Sequence, residues 1–226
     1  MKEIVLNEIK DCIIVTGASS GIGKEIYNWF SNKNVNISGI GRRGPDWTID
    51  LINPDARKVF TNYLFKNNYT VKILINNAGV MLLDESDEEA CRNMVELNLI
   101  AVWDLMKSFY DKKLLVEGSQ VINIASISGI KGDSDVPLYS ATKAGVIALT
   151  KAFAKAWAKD GIRVNSISPG LFDTNLAPPP IPQELIDSIP MKRSAQTSEL
   201  IPILEGILNS NYMTGSNIVI DGGSLL

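Results

Sequence analysis

The chain has 226 residues, 45% of them hydrophobic and 21% charged, which is ordinary globular composition with enough apolar material for one large domain or two small ones. A formal net charge of -3 and a pI near 5.1 exclude the broad basic field that nucleic-acid binding uses and favour small-molecule ligands. With no histidine and two cysteines, Cys12 and Cys91, outside any ligand spacing, neither a metal site nor a disulfide framework is expected.

The opening stretch, MKEIVLNEIKD, is broken by charges and lacks the apolar core of a secretory signal. No run approaches the ~18 apolar residues of a membrane span, so a soluble, cytoplasmic protein without membrane partners is expected. The first strand-like run is CIIV at 12, and it is followed at once by TGASSGIG, Thr16 to Gly23. A glycine loop between a strand and an amphipathic run bearing Ile26, Trp29 and Phe30 is where a phosphate site belongs. Gly17 suits the tight turn, Gly21 the close approach of backbone to a pyrophosphate, and Gly23 close helix packing. A triphosphate P-loop would need Gly at 18 and Ser or Thr at 25, and the chain has Ala18 and Glu25. A dinucleotide is therefore favoured.

The next run, VNISGI at 35, ends in GIGRRG. Gly41 leaves room where a carboxylate would repel a 2'-phosphate, and Arg42 and Arg43 offer charge-assisted donors, so NADP(H) is favoured over NAD(H). Between Arg43 and Asp50 there is no space for a helix.

Further strand-like runs follow: KILI at 72, QVINIA at 120, RVNSIS at 163 and NIVI at 217. Helical periodicity lies between them. Val102, Leu105, Met106 and Phe109 mark one face, and Val146, Leu149, Phe153 and Trp157 another. The alternation predicts an α/β fold: one Rossmann-type domain over residues 1–226, a doubly wound parallel sheet of about seven strands with helices on both faces. The stretch LFDTNLAPPPIPQ from Leu171 carries Pro178, Pro179, Pro180 and Pro182, which cannot sit inside a helix or central strand. It reads as a surface connection or, from its place after a strand, as a substrate loop or lid at about 171–194.

Together these motifs resemble the short-chain dehydrogenase/reductases over nearly the whole chain. TGASSGIG resembles that family's cofactor loop, here Gly17, Ser19, Ser20, Gly21, Ile22 and Gly23. NNAG at Asn76 resembles the turn after its fourth strand, with Asn77, Ala78 and Gly79 at the cofactor. VINIASISG resembles the fifth strand with the catalytic serine, Ser126, and YSATKAG the Tyr-x-x-x-Lys helix, with Tyr139 thirteen positions after Ser126 and then Lys143. SPG at Ser168 resembles the turn beside nicotinamide, Pro169 and Gly170, and TGSNIVIDGG at Thr214 the last strand. The resemblance further implies Asn98 as support for a proton-relay water, Asp50 and Leu51 at adenine, and Thr174 at the carboxamide. Read without the family, Asn98 is a backbone-satisfying asparagine, Asp50 a helix cap and Thr174 a loop residue. Ser20 stands where many NADP-binding members have a basic residue, so the NADP preference rests on the two arginines.

The resemblance implies an oxidoreductase that interconverts a carbonyl and a secondary alcohol. Tyr139 would be the acid/base, Lys143 would lower its pKa and bind ribose, and Ser126 would hold the substrate oxygen. The 3-oxoacyl-carrier-protein reductase branch is the most similar; sugar-nucleotide, polyol or small-ketone substrates are alternatives, and so is a non-catalytic sensor of NADP. Small residues at Ala141, Gly145, Ala148 and Ala152 form a stripe, and the family pairs such helices between subunits, so a homotetramer or homodimer is expected.

Overall fold

The computed structural model describes residues 9–176 and 181–226. Its centre is one sheet of seven parallel strands in the order β3-β2-β1-β4-β5-β6-β7. The strands are β1 (Lys10–Thr16), β2 (Ile37–Gly41), β3 (Trp47–Thr48), β4 (Tyr69–Asn76), β5 (Gln120–Ile124), β6 (Arg163–Pro169) and β7 (Asn217–Ile220). The six apolar runs of the sequence are six of these strands. Parallel strands are covered on both faces, so they read as nearly continuous apolar stretches. The helices are α1 (Gly21–Ser31), α2 (Pro54–Lys66), α3 (Glu88–Val95), α4 (Ala101–Asp111), α5 (Ser128–Lys131), α6 (Pro137–Trp157), α7 (Gln183–Ser188) and α8 (Ile201–Asn209).

Two cores separate the layers. Alternation along β1 sends Cys12 and Ile14 to one face, where they meet Phe60 and Leu64 of α2, Leu105 and Phe109 of α4, and Val146 and Trp157 of α6. Ile13 and Val15 go to the other face, against Ile26 and Phe30 of α1 and Leu204 and Ile207 of α8. The expected face of α4 is buried in full, whereas Leu149 and Phe153 of α6 are only half-buried. Among the described residues no helix is long and apolar enough to cross a membrane, and no cluster of His, Cys, Asp and Glu could hold a metal ion.

The β2–β3 connection is as short as its spacing implies. Residues 42–46 form it without a helix, yet Ile40 pairs with Trp47 and Gly41 with Thr48 in parallel. Asp46 makes this possible: its carboxylate accepts the Gly39 N–H at 2.7 Å and the Tyr27 hydroxyl at 3.3 Å, fastening the loop to β2 and α1. Trp47 then packs against Phe60 and Tyr63, with ring centroids 5.6 and 4.7 Å away, which holds α2 to the sheet edge. Asn53 caps α2, its side chain accepting from Asp55 and Ala56 ahead of Pro54 in the first turn.

Strand order reverses between β1 and β4. Connections leave β1 toward β2 on one side and return to β4 on the other, which opens a crevice beyond the carboxyl ends of these strands. Gly17 follows β1 and Asn77 follows β4, so both loops border that crevice.

Candidate active site and cofactor crevice

The glycine loop is shaped by its contact with the turn after β4. Thr16 Oγ1 accepts the N–H groups of Asn77 and Ala78, both at 2.9 Å, and Asn77 Nδ2 donates to the carbonyls of Thr16 at 3.0 Å and Gly17 at 3.3 Å. This leaves no room for side chains. A Cβ on Gly23 would lie 2.3 Å from both Asn77 Nδ2 and the Gly17 carbonyl oxygen, and Gly17 itself has φ +67°. Helix α1 starts at Gly21 behind Ser20, whose side chain makes no capping bond. Its first-turn N–H groups are therefore not taken by a capping side chain and are available to an anion.

Two other expected cofactor residues, Gly41 and Thr174, lie against this loop. Gly41 lies beside Gly17, and Arg42 and Arg43 are exposed just beyond it. Thr174 is brought against the loop from the far end of the chain: its methyl carbon would sit 3.3 Å from a Cβ on Gly21. Pro169 is placed next to the serine strand, its carbonyl accepting the Ile127 N–H at 3.1 Å, and the Gly170 N–H donates to Ile220 of β7 at 2.9 Å. Asp50 is exposed and takes the Ile52 N–H at 3.1 Å, so it shapes its own turn and is not the cap of α2. The Leu51 side chain is in the core, which leaves only its backbone to meet a ligand.

Ser126, two residues past the end of β5, is buried, and so are Tyr139 and Lys143 on the first turns of α6. Lys143 Nζ donates to the Ile124 carbonyl at 2.9 Å and lies 5.6 Å from the centre of the Tyr139 ring. Gly79 borders the pair: a Cβ there would meet Asn98 Oδ1 at 3.1 Å and Lys143 Nζ at 3.5 Å. The i, i+4 spacing thus brings the lysine to the tyrosine as expected.

The expected lowering of the tyrosine's pKa is not found. Burial dominates and pushes Tyr139 up to about 12, with the Ser126 hydroxyl pulling the other way. The same burial lowers Lys143 to about 8, so its charge is itself costly here. Helical spacing sets only the distance between the two groups, and it carries no information on how dry the site is.

Asn98 sits in a π-helical turn, Glu96–Ile100, between α3 and α4. Its side-chain amide is fully engaged: Nδ2 donates to the Val80 carbonyl at 2.8 Å and to Thr142 Oγ1 at 3.3 Å, and Oδ1 accepts the Val80 N–H at 2.9 Å. Thr142 in turn donates to the Tyr139 carbonyl at 2.7 Å. π-Turns recur at functional sites because they shift the helical register.

Several contributors were invisible to sequence reasoning. Buried Arg57 on α2 pairs with Glu96 at 2.9 Å and Asp104 at 2.6 Å, and donates to the Leu51 carbonyl at 2.5 Å, joining the Asp50–Leu51 turn to the π-turn. Asn76 donates to Asn123 at 2.8 Å and Asn123 to Thr150 at 2.9 Å, a polar row across β4, β5 and α6. The Gly145 of the small-residue stripe serves its own chain, since a Cβ there would meet Leu99 at 2.8 Å; Ala141, Ala148 and Ala152 are exposed. Of the proline-rich stretch, Pro178, Pro179 and Pro180 lie outside the described residues, and Pro182 precedes α7.

A seven-stranded parallel sheet with a glycine loop at its reversal point, and a serine, tyrosine and lysine gathered past the end of β5 near Gly79 of the turn after β4, define a dinucleotide-type α/β protein. The short chain dehydrogenase family profile matches residues 11–184, and the chain belongs to that family. It is 30% identical to a 2-dehydro-3-deoxy-D-gluconate 5-dehydrogenase of Bacillus subtilis, over 94% of this chain and 93% of that protein. It is 29% identical to a 3-oxoacyl-acyl-carrier-protein reductase of Buchnera aphidicola, over 95% and 97%. Among solved structures, 4-hydroxyisoleucine dehydrogenase complexed with NADH superposes with a TM-score of 0.84 at 27% identity, covering 95% of this chain and 98% of that one. A Beutenbergia cavernae protein described as a putative NAD(P)-dependent gluconate 5-dehydrogenase, with bound NADP, gives 0.83 at 27% identity over 96% of each chain.

Proposed function

We propose that this protein is an NADP(H)-dependent oxidoreductase that interconverts a carbonyl and a secondary alcohol, with Tyr139 as the acid/base. The observation that carries this reading is the burial of Ser126, Tyr139 and Lys143 together at the end of β5, with Lys143 near Gly79 of the turn after β4. The loop suits a dinucleotide: Gly23 tolerates no side chain, α1 has no capping side chain, and Gly41 brings no side chain beside Gly17. Gly17, the residues from Ser19 to Gly23, and Asn77 to Gly79 would hold the pyrophosphate side. Asp50 and the backbone of Leu51 would lie at adenine, with Pro169, Gly170 and Thr174 at the carboxamide. Arg42 and Arg43 are exposed just past Gly41, and two guanidinium groups at the end of β2 support a preference for NADP(H).

When held in this crevice, a nicotinamide cofactor would supply or take the hydride. The chain handles the proton. Because burial holds Tyr139 protonated at neutral pH, its hydroxyl is ready to give a proton to the carbonyl oxygen, which favours reduction. Ser126 donates to the same oxygen as negative charge grows on it. Lys143 is a cation below about 8, and in that state it steadies the tyrosinate left behind and binds ribose. Asn98, through Val80 and Thr142, keeps the segment around this pair in place and would support a relay water.

The stretch 171–194 serves as a substrate loop, the protein works in the cytoplasm, and it assembles as a homotetramer or dimer through the exposed alanines of α6. The relatives make 3-oxoacyl thioesters and sugar acids the first compounds to assay, with small ketones beside them. The test is to mix the protein with NADPH or NADH and each carbonyl compound and follow absorbance of the reduced cofactor. Oxidation of NADPH faster than NADH is expected, and removal of both guanidinium groups in an Arg42→Ala, Arg43→Ala protein should equalise the two. Binding of NADPH with no oxidation by any of the compounds would instead favour a sensor.

A further inference from the structure

Residues 80–87, after the fourth strand, have no helix or strand of their own, and Val80, Met81 and Leu82 at their start pack against the cluster that contains Tyr139. The segment is tied at both ends. At one end both backbone groups of Val80 are taken by the Asn98 amide. At the other, Glu85 Oε1 accepts the backbone N–H of Leu138 at 3.0 Å, and the Glu85 carbonyl accepts from Cys91 Sγ at 3.4 Å. Between the ties Met81 and Leu82 pack, partly exposed, against the cluster of Met94, Val136 and Tyr139.

The Glu85 contact meets a specific need of the helix that carries Tyr139. Helix α6 begins with Pro137 behind Val136, whose side chain offers no acceptor, so the N–H of Leu138 has no local cap. Glu85 caps it from 53 positions away. A carboxylate at a helix N-terminus is favoured by charge as well as by the hydrogen bond. One residue therefore fixes both the start of the catalytic helix and the free end of the strap.

We propose that Glu85 is a positioning residue for the substrate: by capping α6 it holds Met81 and Leu82 beside Tyr139 as an apolar wall, against which the hydrocarbon part of a carbonyl substrate packs. This rests on the oxidoreductase reading, and the test separates the two. Glu85→Ala removes the acceptor, whereas Glu85→Gln keeps an acceptor oxygen at the same reach. In Glu85→Ala, KM for ethyl acetoacetate should rise about tenfold while kcat stays within about twofold, the signature of lost binding and not of lost chemistry. Amide hydrogen exchange over 80–87 and in the first turn of α6, where Leu138 loses its acceptor, should speed up in the same protein, with the rest of the chain and the affinity for NADPH unchanged. Glu85→Gln should stay close to the unsubstituted protein on all counts. A lower melting temperature with unchanged KM and unchanged exchange over 80–87 would overturn the proposal, as would a Gln variant as impaired as the Ala one. If the unsubstituted protein oxidises no NADPH with any carbonyl, the oxidoreductase reading fails and the substrate role with it; the exchange data would then still report whether Glu85 anchors the strap.

Discussion

Lys143 carries a charge whose burial is costly, and replacing it should separate that cost from the catalytic role proposed for it. Its pKa falls from the ordinary 10.5 to about 8 through burial alone. At ~1.4 kcal/mol per unit, that is about 3 kcal/mol of destabilisation at neutral pH, when the ammonium is charged in folded and unfolded chain alike. Its hydrogen bond to the Ile124 carbonyl returns about 1 kcal/mol. Lys143→Met, similar in length and apolar, should therefore be more stable than the parent by about 2 kcal/mol at pH 7, a rise in Tm of roughly 4 to 8 °C for a chain this long. The gain should depend on pH in a definite sense. Between about 8 and 10.5 the unfolded chain binds more protons at this residue than the folded one, so the parent gains stability from this residue as pH rises through that window. The advantage of Lys143→Met should fade toward zero near pH 9.5 or above. Thermal unfolding at both pH values measures it, and activity should be lost throughout. A variant less stable than the parent at pH 7, or a difference that ignores pH, would refute the reasoning.

The remaining predictions concern the same crevice. Tyr139→Phe should bind NADPH within about twofold, as read by quenching or enhancement of its fluorescence, while kcat falls by about 10² to 10⁴, the usual weight of a positioned acid; near-normal turnover would remove Tyr139 from its role. In the parent, carbonyl reduction should weaken as pH rises through about 8, where Lys143 loses its proton, with no loss assignable to Tyr139 until about 12. Gly23→Ala sets a methyl 2.3 Å from a backbone oxygen and the Asn77 amide. It should cost about 1 to 3 kcal/mol by overpacking and weaken NADPH binding, which denaturant titration and fluorescence titration would show together.

The sequence exposed what depends on local chemistry. Continuous apolar runs marked six strands because both sheet faces are covered, and the glycine spacing marked the loop because a Cβ at Gly23 has nowhere to go. The distance from Arg43 to Asp50 was enough to exclude a helix. The seventh strand was not recognisable as a run, since Trp47–Thr48 is two residues long and is held by the distant partners Phe60 and Tyr63. Long-range polar contacts were equally hidden. Nothing in the neighbourhood of Arg57 points to Glu96 and Asp104, and nothing near Pro137 names Glu85, although an uncapped valine before it hints that a cap must come from elsewhere. The inserted residue of the π-turn at Asn98 is invisible to periodicity, which stays apolar on one face through α4. Burial explains the largest discrepancy: sequence placed a cation next to Tyr139 correctly, and the dryness of the site reversed the expected direction of its titration.

The two-residue β3 also bears on how the protein behaves in a crowded solution. An outermost strand is a template on which a stranger's backbone can add itself, and long, flat, apolar ones seed aggregates. Here the margin offers too few free peptide groups for such an addition to begin. The Gly39 N–H, which would otherwise stand open beyond the short pairing, is already taken by Asp46, and the negative charge of that side chain guards the place. Lengthening this margin, by replacing Asp46 with a β-branched apolar residue, would exchange a protected rim for an adhesive one.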